Sequence, residues 1–212
     1  MSVLVKICGL TNEADAEFAV RCGADYLGFV LYPKSARYVA PASLRRITAS
    51  LPPGVRTVGV FVNSSSDEVL EVMDSCGLDI AQLHGGEPPS VAHALGPERV
   101  WKAFSLTRSQ DLVAAQAFPA AVVVVDTMEP GRPGGTGKLG NWALAANLAA
   151  QRPMFLAGGL TPDNVAEAVA RVKPLGVDVS SGVEIAPGRK DHDRLQRFIS
   201  QARSAGRSVR SD

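Results

Sequence analysis

A cysteine and an aspartate, each standing where an apolar run stops, are the residues of this chain best suited to moving protons. Cys8 follows Val3–Ile7 and precedes Gly9; Asp126 closes Ala120–Val125, the most apolar run in the chain. A thiol titrating near 8.5 is a poor base at neutral pH unless its site helps it. A positioned carboxyl group can give or take a proton during a reaction. Both types also have plain structural uses: a strand-end cysteine is often a small buried hydrophobe, and Asp126 could cap the turn at Thr127. Cys22 and Cys76 sit on helix faces directly before Gly23 and Gly77, and read as packing.

Two further segments look built for an anion. Ala157–Gly158–Gly159–Leu160 leaves one apolar run and leads into Thr161–Pro162; Ser180–Ser181–Gly182–Val183–Glu184 leaves the next. Glycine lets a backbone approach a phosphate closely and adopt positive φ. One such pair is usually a turn, but two at matching places point to phosphate. Pro133–Gly134–Gly135–Thr136–Gly137–Lys138 resembles the end of a P-loop, yet the full strand–Gly-x₄-Gly-Lys-Ser/Thr–helix spacing is missing. Nucleotide hydrolysis is therefore rejected, and a mobile loop over the substrate is the expectation. Gln82 and His84 end another run and could line the same pocket. Three histidines, sharing no strand end and no ligand spacing, give no metal site.

These residues need a frame that gathers them. Eight short apolar runs, starting at Val3, Tyr26, Val58, Ile80, Val100, Ala120, Phe155 and Val177, each end at small, polar or reactive residues. Apolar residues at consecutive positions suit parallel strands buried on both faces. Helix-period segments separate the runs, so the expected fold is an α/β (β/α)₈ TIM barrel, a single domain with its site at the C-terminal ends of the strands. Phosphate in such barrels commonly sits at the loops after strands seven and eight, and in a closed ring strands one and six flank those two. Cys8 and Asp126 would then stand on either side of the anion.

Helix ends are well marked. Asn12 should open a first helix with Ala14, Phe18 and Cys22 on its buried face; Ser66 should open another with Val69, Met73 and Cys76 inward and Gly77 as its stop. Thr161 followed by Pro162 reads as an N-cap with proline at N1, ahead of Val165, Val169 and Val172. Gly23–Ala24–Asp25, Gly77–Leu78–Asp79 and Gly176–Val177–Asp178 repeat one helix-to-strand phrase, as an architecture of repeated βα units would. The barrel is expected over residues 1–203, with a frayed tail at 204–212.

Composition narrows the function classes. The chain has 212 residues, a net charge of +1 and 22 scattered Lys+Arg, which gives no basic stripe for nucleic acid. No apolar stretch reaches the roughly 18 residues of a membrane span. Three cysteines without metal spacing, and a start that reads as a strand rather than a signal segment, suggest a cytoplasmic protein.

Taken together, Lys6–Ile7–Cys8–Gly9, Val58–Gly59–Val60–Phe61–Val62–Asn63, Gln82–Leu83–His84–Gly85, Asp126–Thr127 with Gly134–Lys138, Leu156–Leu160, and Ser181–Glu184 with Pro187–Asp191 resemble phosphoribosylanthranilate isomerase. The match runs through almost the whole chain in the family's order. It departs at Gly140–Asn141–Trp142, where the family usually has Asp before Trp. The resemblance implies an Amadori rearrangement in tryptophan biosynthesis, with Asp126 as general acid and Cys8 as general base. It implies that Arg37 pairs with the anthranilate carboxylate, and that Gln82, His84, Gly135, Gly158, Gly159, Ser180, Ser181 and Gly182 hold the substrate. No cofactor is needed, since the iminium formed on ring opening acidifies the neighbouring C–H. The partner would be a phosphorylated small molecule, and the chain a monomer or homodimer. Two alternatives stay open: a histidine-pathway sugar isomerase, which would place a carboxylate where Cys8 stands, and a catalytically silent phosphate-binding barrel.

Overall fold

The structure, a computed structural model, describes residues 3–126 and 142–208. Eight strands run in chain order around a ring: β1 (Leu4–Ile7), β2 (Tyr26–Val30), β3 (Arg56–Phe61), β4 (Ile80–Leu83), β5 (Val100–Phe104), β6 (Val122–Asp126), β7 (Met154–Ala157) and β8 (Gly176–Val179). Each pairs in parallel with its neighbours, and β8 closes onto β1 with Lys6 opposite Asp178. The helices are α1 (Glu13–Arg21), α2 (Pro41–Ser50), α3 (Ser66–Cys76), α4 (Pro89–Leu95), α5 (Ser109–Ala117), α6 (Trp142–Ala149), α7 (Val165–Val172) and α8 (His192–Ser208). A small antiparallel hairpin, β9 (Glu184–Ala186) and β10 (Arg189–Lys190), lies between β8 and α8. All eight expected strands are present, shifted by at most two residues at either end.

Strand periodicity splits the apolar residues into two cores. Outward-facing residues such as Val5, Leu27 and Leu156 pack beneath the helices. Inward-facing ones, Val58, Ile80, Trp101, Val122, Val124 and Phe155, fill the lower barrel. There the Tyr26, Trp101 and Phe155 rings meet at centroid distances of 4.6–5.6 Å. Room for Phe155 comes from Gly176, where a Cβ would lie 2.4 Å from its ring. Above this floor the interior turns polar, with Lys6, Gln82 and Asp178 all buried. A buried charge is costly unless paired, so a polar layer here marks where the barrel stops being scaffold.

Helix starts follow their caps in part. Ser65 and Glu68 form a capping box at α3, whose Val69, Met73 and Cys76 are buried and whose exit is Gly77 at φ 64°. At α1 the cap is Asn12 as expected, but the buried face is Asp15, Ala16 and Ala19, with Ala14 exposed. Asp15 can be buried because its carboxylate accepts from the Lys190 amide and pairs with His192. Phe18 and Cys22 still pack, half-buried, against the core, and Phe18 also stacks on His192 of α8 with ring centroids 3.9 Å apart. α7 begins at Val165 rather than after Thr161, because 161–164 form a separate turn in which Asn164 Oδ1 accepts from the Thr161 amide.

The last helix runs further than expected. α8 does not fray after Arg203 but continues to Ser208. Arg203 ties it to the first strand, donating to Val3 O at 2.8 Å and to Asp25 Oδ2 at 2.7 Å. Gly206 then packs so closely that a Cβ would lie 2.8 Å from the Val3 nitrogen. The repeated Gly-x-Asp phrase does precede or enter a strand each time, but its aspartates do different work. Asp25 accepts from the Val5 amide and Asp79 from the Thr57 amide, each bracing the start of the preceding strand or its neighbour. Asp178 instead lies inside β8 and faces the barrel interior.

Candidate active site

The C-terminal ends of β1 and β8 bring three ionisable groups together in the buried polar layer. Lys6 is fully buried, and its Nζ lies 3.0 Å from Asp178 Oδ2. Burial alone would push its ammonium down, but Asp178 and the Cys8 thiol hold it above its ordinary range. Cys8 follows two residues on, buried, its amide donating to Val179 O at 2.8 Å. Gly28 on β2 gives both side chains their space, since a Cβ there would sit 2.8 Å from Cys8 Sγ and 3.0 Å from Lys6 Cε. Burial pushes the Cys8 thiol above its ordinary value; Lys6 pulls it back, and Asp178 adds to the rise.

That direction has a measurable consequence. Alkylation of Cys8 in the ligand-free protein should keep climbing past pH 9, by up to about tenfold per unit, because the thiolate reacts. A plateau reached by pH 7.5 would show a preformed thiolate and contradict the burial argument. Turnover need not follow the same curve. Thiolate with carboxylic acid carries the same net charge as thiol with carboxylate, so the reactive pairing can form by moving one proton within the site.

Across the mouth, Asp126 is the last residue of β6 and half-exposed. His84 Nε2 lies 3.9 Å from its Oδ2, and Gln82 Nε2 lies 3.1 Å from His84 Nδ1. With the amide nitrogen donating to Nδ1, the imidazole proton sits on Nε2, facing Asp126. His84 is 38% exposed in the open mouth, yet the protein around it still lowers its pKa by desolvation, against the pull of Asp126. It is thus a neutral donor at pH 7, a supporting group rather than a base. Gln82 Oε1, Asp178 Oδ1 and Ser180 Oγ are buried with no hydrogen-bond partner among the described residues. Leaving a buried polar atom without a hydrogen bond costs about 1–3 kcal/mol, and all three of these lie at the C-terminal ends of β4 and β8.

The two glycine-bearing loops meet as one surface. Gly158 and Gly159 both have positive φ, 81° and 67°. Ser181–Val183 form a short 3₁₀ turn after β8, and a Cβ on Gly182 would sit 1.9 Å from Leu160 O. Asn164 Nδ2 donates to Gly159 O, holding that loop to the turn before α7. Gly182→Ala must therefore push the two loops apart. We expect affinity for a phosphate-bearing product to fall at least about tenfold; calorimetric titration checks this, and unchanged affinity would remove the loop contact from the site.

Arg37, in the loop after β2, reaches the same rim from the other side. Its Nε lies 3.0 Å from Glu184 Oε1 and its Nη2 2.6 Å from Oε2. Its stem passes over Gly9, where a Cβ would lie 2.7 Å from Arg37 Cδ. Lys190 Nζ is shared between Glu184 Oε1 at 2.8 Å and Cys8 O at 2.6 Å. The structure thus brings Cys8, Asp126, Arg37, Gln82, His84, Gly158, Gly159, Ser180, Ser181 and Gly182 to one end of the barrel. Gly135, the loop expected to cover the substrate and the Asn141 departure lie outside the described residues.

Sequence reasoning assigned no role to Lys6, Asp178, Glu184 or Lys190. For Lys6 and Asp178 a signal existed: each is a charge at an inward-facing position between two apolar residues of a buried strand. Glu184 and Lys190 are far from Arg37 in sequence, and nothing local reveals that pairing.

The model of the N-(5′-phosphoribosyl)anthranilate isomerase family matches residues 5–201. The chain belongs to this family. An N-(5′-phosphoribosyl)anthranilate isomerase of Geobacter sulfurreducens is 48% identical over 201 residues, covering 95% of this chain and 98% of its own. The phosphoribosylanthranilate isomerase structure from Thermotoga maritima superposes with a TM-score of 0.90 at 43% identity, covering 95% of this chain and 99% of that one. A second family structure, solved with reduced 1-(o-carboxyphenylamino)-1-deoxyribulose 5-phosphate, gives 0.86 at 41% identity, with coverage of 95% and 99%. Family membership and the closed barrel with its site at the strand ends therefore agree, and the silent-binder and histidine-pathway alternatives have no support from these relatives.

Proposed function

We propose that this chain isomerises N-(5′-phosphoribosyl)anthranilate to 1-(2-carboxyphenylamino)-1-deoxyribulose 5-phosphate, a step of tryptophan biosynthesis. The observation that carries the reading is the placing of Cys8 and Asp126, in a member of this family, at the ends of β1 and β6. Those strands flank the paired loops after β7 and β8. Phosphate bound at Gly158–Gly159 and Ser180–Gly182 puts the ribose between an acid and a base.

In this scheme Asp126 gives its proton to the furanose ring oxygen, the C1′–O bond breaks, and nitrogen supplies the electrons to form an iminium. His84, neutral and with its Nε2 3.9 Å from Asp126 Oδ2, offers the carboxylate left behind a nearby donor. Cys8 then takes the C2′ proton, whose C–H electrons flow into the iminium to give an enolamine. Return of a proton to C1′ and loss of the C2′ hydroxyl proton complete the ketone. The iminium is the electron sink, so no metal or organic cofactor enters. The unpartnered Asp178 Oδ1 and Gln82 Oε1 are acceptors suited to ribose hydroxyls. Lys6 pairs with Asp178 at 3.0 Å and offers a cation near the thiolate as it forms. Acid and base are each worth about 10²–10⁴ in rate. The working form in this reading is a monomer or homodimer in the cytoplasm.

Arg37, a planar donor with bidentate reach, suits the anthranilate carboxylate. The test is steady-state turnover followed by loss of the substrate's anthranilate fluorescence. Wild type should turn over, and Arg37→Ala should raise KM about tenfold or more while lowering kcat less. No turnover by wild type would overturn the reading, and an unchanged KM would remove Arg37 from it.

A further inference from the structure

Pro187–Asp191 and Glu184 belong to the motifs that carry the family resemblance, yet the scheme above gives them nothing to do. In space they form a buried charge cluster beside the site. The Glu184 side chain is 4% exposed and that of Lys190 fully buried. Every acceptor position on Glu184 is used: Arg37 Nε bonds both oxygens, Arg37 Nη2 takes Oε2, and Lys190 Nζ and the Gly188 amide take Oε1. Lys190 also donates to the carbonyls of Cys8 and Ser180. One carboxylate therefore connects the loop bearing Arg37, the end of β1 and the β8 loop.

The geometry at Arg37 is informative. A guanidinium offers a side edge, Nε with one Nη, and an end edge, Nη1 with Nη2. Glu184 occupies the side edge, and among the described residues Nη1 makes no hydrogen bond. We propose that Glu184 is a positioning residue: it grips the side edge of Arg37 so that the end edge faces the site and receives the anthranilate carboxylate in bidentate fashion. The hairpin β9–β10, with Lys190 at its close, is the strut that holds Glu184 in place. Burial raises the Glu184 carboxyl, but Arg37 and Lys190 outweigh it and keep the group ionised, so the grip persists through the neutral range. A pre-set guanidinium loses less side-chain freedom on binding, and that shows as affinity. Glu184 thus selects for an aromatic carboxylate without touching it.

This inference rests on the isomerase reading, and the experiment separates the two. Dissociation constants are measured for the reduced product and for its phenyl analogue lacking the carboxylate. Glu184→Gln should weaken the carboxylate compound about tenfold and the phenyl analogue less than about twofold, with KM rising and kcat nearly kept. In the Arg37→Ala background the same change should add almost nothing, because Glu184 acts through Arg37. Glu184→Asp, one methylene shorter but still charged beside Lys190, gives the same selective loss should the glutamine variant be unstable. Equal losses for both compounds would reduce Glu184 to a structural residue. Tighter binding of the carboxylate compound would make it a competitor for Arg37. Either result overturns the proposal. A wild type that binds neither compound overturns the isomerase reading instead.

Discussion

Asp126→Asn should leave less than about one per cent of wild-type kcat while product affinity stays within about threefold. Asn is nearly isosteric and keeps an acceptor oxygen at the end of β6, so the barrel and the phosphate loops have no reason to move. What it lacks is a transferable proton. A general acid contributes about 10² at least, and ring opening without one leaves an alkoxide on the former ring oxygen. His84 cannot stand in, because it lies 3.9 Å from Asp126 and desolvation keeps its imidazole neutral. Steady-state kinetics with product titration checks both halves. A variant retaining more than about a tenth of kcat would end the assignment of Asp126 as the acid.

Cys8→Ser should be nearly as damaging. A hydroxyl is far less acidic than a thiol, and its neutral form is a weak base towards a C–H proton, so a loss of about 10² or more in kcat is expected. The other cysteines provide the control. Cys76 is buried under α2, its Sγ directed at Pro41 O at 3.6 Å, and Cys22 caps α1. Serine at either position should keep near-normal kcat, at some cost in stability where a hydroxyl is buried. A thiol reagent should inactivate the protein by modifying Cys8, and bound product should slow that loss. Mass spectrometry of partly inactivated protein identifies the labelled residue; inactivation that tracks Cys22 or Cys76 would refute the base assignment.

The barrel was legible because its evidence is local and repeated. Consecutive apolar residues ending at small or polar ones mark a parallel strand wherever they occur, and eight such runs leave few other architectures. Cys8 and Asp126 stood out for the same reason, being reactive types at the ends of those runs. What stayed hidden was set by tertiary contact. Ala14 shares a helical face with Phe18 and Cys22, which do pack against the core, yet it is exposed while its neighbour Asp15, held by His192 and the Lys190 amide, is buried. Asp178 shared its local phrase with Asp25 and Asp79, and only the register of β8 against β1 shows that it faces Lys6. Glu184 and Arg37 are brought together by ring closure, which no spacing along the chain encodes. The end of α8 was misread because small polar residues suggest fraying, whereas Gly206 is small in order to pack against Val3.

The most direct test of the central claim follows the carbon skeleton itself. N-(5′-phosphoribosyl)anthranilate labelled with ¹³C at C1′ and C2′ is mixed with the protein and observed by NMR. The account predicts that the anomeric C1′ signal gives way to a methylene and the C2′ carbinol to a ketone, faster than in a protein-free sample and without change of mass. A label that stays in the furanose, or passes only to ribose 5-phosphate and free anthranilate at the uncatalysed rate, would contradict it.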